Sequence, residues 1–183
     1  MIQRLKTKQK GFTIIEVMIV LAIAGLILLI VFLAVPALQR AQRNTGRKED
    51  AGRLVTAFQD FISNSSGNLP GQENGAFSAT QAMTDCSSIK NDAGTLNQYN
   101  NLTCSQSITG ANQIAIISAT SSTAQNVSIS PASPSGNDVV FVEGARCSGT
   151  STYNGSSTEQ QAVLFYSLES GNNTPYIWAC ENA

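Results

Sequence analysis

The sequence predicts an α+β fold in which a long N-terminal helix, about residues 12–64, packs its C-terminal half on an antiparallel β-sheet of about four strands. Three observations carry this expectation. Residues 17–39 hold no charged side chain. Ala51, Leu54, Val55, Phe58, Phe61 and Ile62 recur at three- and four-residue steps, the spacing of one apolar helix stripe. Beyond residue 112, apolar runs rich in β-branched residues alternate with polar turn sequences, as strands do.

Each element follows in order. Residues 1–10 contain Arg4, Lys6, Lys8 and Lys10 and no acid. The apolar run that follows, residues 12–35, exceeds the roughly 20 residues needed to cross a ~30 Å hydrocarbon layer. The basic flank is expected to stay cytoplasmic and send the rest outward. An ordinary cleavable signal peptide fits less well, because its apolar region is shorter and no A-x-A site closes this one. Gly25 and Pro36 weaken the helix between them. The helix is expected to stop at S-N-S-S-G-N-L-P, with Gly67 as C-cap and Pro70 blocking continuation. Residues 66–112 read as a long loop with a short helix near residues 76–83. Strands are expected at 113–118, 126–130, 138–143, 161–168 and 175–180, the last two joined by the hairpin connection E-S-G-N-N-T.

Composition excludes several functions. The 183-residue chain has no histidine, the commonest general base and metal ligand, and it has no phosphate-binding glycine motif. No catalytic residue, metal site or cofactor is therefore expected, and the chain does not read as an enzyme. The net charge is −1, and without residues 1–11 the balance is 7 − 12 = −5, so the distal part offers no basic surface for nucleic acid. Arg40, Arg43 and Arg47 share a polar helix stripe, read as solvated or in contact with lipid headgroups. Asp85, Asp92, Asp138 and Glu143 form no calcium-loop pattern and read as solvated surface carboxylates. Five N-x-S/T triplets, at Asn64, Asn101, Asn126, Asn154 and Asn172, are of the number expected by chance in so polar a sequence. Four cysteines lie beyond the apolar run and allow three pairings. The favoured one joins Cys147, after the 138–143 strand, to Cys180 in the final strand, leaving Cys86 with Cys104; each bridge is worth about 2–4 kcal/mol.

One residue resists these readings. Glu16 places a carboxylate inside the apolar run, which costs about 2.5–3.5 kcal/mol at a helix centre and less near its end. A positive partner offsets that cost, either Lys10 or a free amine created at Phe12 by cutting after Gly11. Here the stretch K-G-F-T-I-I-E, behind a short basic leader and before a long apolar helix, closely resembles the type IV prepilins. The resemblance is specific over residues 4–38 and general beyond them; Pro36 lies a few positions later than the family's usual helix proline. It implies cleavage after Gly11, N-methylation of Phe12, and a Glu16 that pairs with the N-terminal amine of a neighbouring subunit during assembly. A glycine at the cut lets a protease approach the backbone closely. A paired carboxylate fixes the register of helices whose other contacts are uniformly apolar.

The resemblance divides the chain into a cleaved leader (1–11), a membrane-spanning and filament-core helix (12–38) and an extracellular head of pilin type (39–183). It implies a structural role as the major subunit of a type IV pilus, anchored in the cytoplasmic membrane before assembly and extracellular afterwards. Its implied partners are copies of itself, a prepilin peptidase and N-methyltransferase, an assembly platform and its ATPase, and the membrane. A pseudopilin of a type II secretion system shares the leader motif, and a low-copy minor pilin or adhesin is a third reading. Adhesion, twitching motility or DNA uptake are the uses to which such filaments are put.

Overall fold

The computed structural model describes residues 11–73, 76–94, 103–105, 113–118, 126–130, 134–155, 161–171 and 176–183. It divides into two compact units, Met1–Gln39 and Arg40–Ala183. Helix α1, Ile14–Asn64, contributes to both. In the first unit its apolar side chains from Ile14 to Leu38 are exposed, among them Phe32 and Leu33 at 76% and 74%. The helix continues through Pro36, although a proline supplies no N–H to the carbonyl one turn before it.

The second unit is built in three layers. After α1 come two short strands, β1 (Gln72–Glu73) and β2 (Ala76–Phe77), then helix α2 (Ala79–Asp92). Strands β3 (Thr103–Ser105), β4 (Gln113–Ser118), β5 (Val127–Ser128) and β6 (Val139–Glu143) follow. The chain closes with β7 (Ala145–Cys147), β8 (Thr152–Gly155), β9 (Ala162–Glu169) and β10 (Tyr176–Asn182). The central sheet has the order β10-β9-β6-β4-β3, and a second sheet has the order β5-β8-β7.

Leu54 and Phe58 of α1, with Ile89 of α2, bury against one face of the central sheet, on Ile114, Ile116, Val139, Phe141 and Leu164. Phe58 and Phe141 stack at 4.6 Å between ring centres and tie helix to sheet. On the opposite face Val140, Val142, Phe165 and Trp178 pack against Ile129, Ala145 and Tyr153 of the second sheet region. Every residue of β6 is buried, because both faces of that strand are covered.

The α+β architecture is that expected, with particular departures. The central sheet is mixed: β10–β9 and β9–β6 are antiparallel, while β4 runs parallel to both β6 and β3. The second sheet was not foreseen. Strand β5 belongs to it rather than to the sheet under the helix. Helix α2 starts three residues later than the short helix expected near 76–83 and runs on to Asp92. It is held by Asp85, which accepts from the backbone N–H of Gly71 at 2.5 Å and from Gln81 Nε2 at 2.8 Å. At the end of α1 both Ser66 and the expected Gly67 are left-handed, with φ of 60° and 83°, and Gly67 N–H bonds the Ile62 carbonyl at 2.9 Å, a Schellman-type closure.

Two charge assignments are corrected. Asp85, Asp138 and Glu143 are buried, not solvated, and only Asp92 of that set is exposed. Asp138 accepts from the N–H groups of Gln113 and Ser135 and so fixes the start of β6. The arginine stripe likewise is no open basic face. Arg43 grips Glu169 through two bonds, Nε to Oε1 at 2.8 Å and Nη2 to Oε2 at 2.7 Å. Arg47 reaches Oε1 at 3.2 Å, is 3% exposed, and lies 5.1 Å over the Tyr176 ring. Asn44 brackets the backbone of Glu169, donating to its carbonyl at 3.0 Å and accepting from its N–H at 2.8 Å. The cysteines form Cys86–Cys104, which ties α2 to β3, and Cys147–Cys180, which ties β7 to β10.

The hydrogen bond from Arg43, aided by the charges of Arg47 and Arg40, holds the Glu169 carboxyl below its ordinary value of 4.5. A lowered folded-state pKa contributes stability that is complete above the unfolded value and fades as pH falls through the folded one. The thermal midpoint of the detergent-solubilised chain should therefore exceed that of Glu169→Gln by a constant margin above about pH 5. That margin should shrink as the pH is taken below 4.5; a margin independent of pH down to 2 would contradict the assignment.

Candidate processing and assembly site

The candidate site is the segment at the start of α1, residues 11–16. Gly11, Phe12 and Thr13 precede the first helical residue, Ile14, and all three are exposed. A Cβ at Gly11 would meet nothing within 4 Å. Exposed, non-helical backbone is what a protease active site engages.

Thr13 and Glu16 start the helix. The Thr13 hydroxyl oxygen accepts from the Glu16 N–H at 3.3 Å, and the Glu16 carboxylate reaches back to the Thr13 N–H at 3.1 Å. The Thr13 hydroxyl also donates to the same carboxylate oxygen, Oε2, at 2.9 Å. This is a capping box, which satisfies reciprocally two N–H groups that the helix leaves without partners. Glu16 is thereby also the acid in the first turn, where the positive end of the helix dipole favours negative charge.

Thr13 was missed in reading the sequence, although its signal was present. T-x-x-E directly before an apolar run is the capping-box pattern, a local partner for Glu16 that needs no cation. All atoms of the box lie within Thr13–Glu16, so hydrolysis of the 11–12 bond leaves it whole. Gly11, Phe12 and Glu16 thus fall within one short segment, while the four cysteines lie in the second unit. Among the described residues no cluster of acids and cysteines could hold a metal ion.

The arrangement is an exposed segment at residues 11–13, a capped helix start, and a following apolar helix long enough to cross a membrane. Residues 6–32 match the family model of the prokaryotic N-terminal methylation motif, which supports a type IV pilin-like prepilin. No curated protein and no solved structure matches the chain.

Replacing Thr13 by Val keeps the shape and deletes the hydroxyl that makes two of the three bonds. Loss of an N-cap costs about 1 kcal/mol. In micelles, the amides of residues 14–17 should exchange several-fold faster in Thr13→Val than in the wild type; equal protection would show that the box does not hold the helix start.

Proposed function

We propose that the chain is the major subunit of a type IV pilus, made as a precursor with residues 1–11 as leader. The leader stays cytoplasmic, the helix from Phe12 to Leu38 spans the membrane, and the head, residues 39–183, lies outside. A prepilin peptidase cuts after Gly11 and the new amine of Phe12 is N-methylated. An assembly platform and its ATPase then move the helix from lipid into a filament of like subunits, where Glu16 pairs with a neighbour's amine. In this reading the chain has no catalytic role of its own.

The observation that carries this reading is the methylation motif over residues 6–32 running directly into a helix whose apolar side chains are exposed on every side. Such a surface is stable in lipid or among other apolar helices, and not in water. The weakly charged composition of the head supports close packing of like subunits, since few repulsions accumulate.

The test is intact-mass analysis of protein sheared from the surface of expressing cells. A chain beginning at methylated Phe12, abundant in that fraction, is expected. Gly11→Ser should leave only the uncut precursor, in membranes, while Glu16→Ala should be cut normally yet fall at least tenfold in the sheared fraction. Cut protein absent from sheared material but required for protein export would favour a pseudopilin. Normal filament yield from Glu16→Ala would sink the pairing role.

A further inference from the structure

Between Arg40 and Asp50 the only side chain of α1 that is apolar is Ala41, and it is exposed. The buried residues of this stretch are Arg47 and Asp50, whereas from Ala51 to Phe58 the buried residues are all apolar. The same helix is therefore attached to the rest of its unit in two different ways. Residues 51–62 are held by the core, and the turns from Arg40 to Lys48 are held by polar contacts to one end of β9 and by Arg47 over the Tyr176 ring at the adjoining start of β10.

The polar contacts converge on one residue. Glu169 takes Arg43 bidentately and Arg47 through Oε1, while its main chain is bracketed by Asn44. Arg40 lies against the turn beyond, so that a Cβ at Gly171 would stand 3.0 Å from its Nη1. These partners are separated by about 125 residues in sequence, so their pairing exists only in the folded unit.

Arg47 makes the attachment all-or-none. Its guanidinium is buried, and neither Nε nor Nη1 has a hydrogen-bond partner. Glu169 is the acid that offsets that buried charge. Removing one partner of a buried pair leaves the other charge uncompensated and is strongly unfavourable. When Glu169 is neutral, Arg47 gains by swinging into water, and Arg43 loses its bidentate acceptor at the same moment. The apolar contacts from Leu54 onward need none of these groups.

We infer that residues 40–48 form a separately releasable segment of α1, latched to the end of β9 by Glu169 and Asn44, which opens and closes while the core beyond Ala51 stays intact. Such partial opening is expected where a segment has few buried apolar contacts and its attachment is polar. The latch is independent of whether the chain polymerises.

The test is amide hydrogen exchange read by mass spectrometry on the full-length chain in detergent micelles at pH 7. In Glu169→Gln, peptides covering residues 40–48 should exchange at least tenfold faster than in the wild type, with those covering 51–62 and 139–143 unchanged. Asn44→Ala, which keeps every charge, should show the same regional pattern with a smaller, several-fold rise. Unchanged rates at 40–48 in both variants would overturn the latch. So would a rise shared equally by 51–62 and 139–143, because the segment would then open only together with the core.

Discussion

Apolar surface on α1 must be covered, and the described residues cover only some of it. From Leu54 to Phe58 the helix meets the central sheet, with Phe58 stacked on Phe141, and the layers of the second unit are organised around that contact. From Ile14 to Leu38 none of the described residues covers the equivalent surface. At about 1.5–3 kcal/mol for each large apolar side chain left in water, this stretch must find lipid or other helices. The requirement for an outside partner is thus written in the helix itself, before any motif is considered.

The two-sided burial of the central sheet shapes the rest of the second unit. Strand β6, V-V-F-V-E, turns Phe141 toward the helix and Val140 and Val142 toward the second sheet. Once both faces are covered, polar groups at the strand ends must be satisfied from within, and Asp138 does this for the backbone of Gln113 and Ser135. Asp85 does the same for Gly71 at the turn between α1 and α2. Buried carboxylates that accept backbone N–H groups organise loops.

Most of this was legible in the sequence where periodicity was strong. The Leu54–Ile62 stripe, the V-V-F-V strand and the final hairpin each have a spacing that one secondary structure satisfies and others do not. The second sheet was harder to see, since β5, β7 and β8 are two to four residues long, too short to set a period. One signal was available: β6 lacks the apolar–polar alternation of a strand with a wet face. The arginine stripe misled because charge on a helix face is ordinarily solvated, and its acceptor, Glu169, lies about 125 residues away. The Thr13–Glu16 box is local and legible as T-x-x-E, but a reading of Glu16 as an isolated charge does not reveal it.

The box also alters what Glu16 requires of a neighbour. Both bonds from Thr13 go to Oε2, so one carboxylate oxygen is already provided for by the helix that carries it. The cost of holding Glu16 among apolar side chains is then lower than for a bare carboxylate, because hydrogen bonding to the charged form offsets part of the lost hydration. Neither Thr13 bond uses Oε1. Under the proposed assembly, an amine arriving from a second subunit can add to the box at Oε1 rather than displace it. Capping and pairing then reinforce each other: the cap fixes the rotamer of Glu16, and a fixed rotamer presents the remaining oxygen in one direction. Register between helices with otherwise uniform apolar surfaces follows from that direction, which a lone, freely rotating carboxylate at the same position would not define.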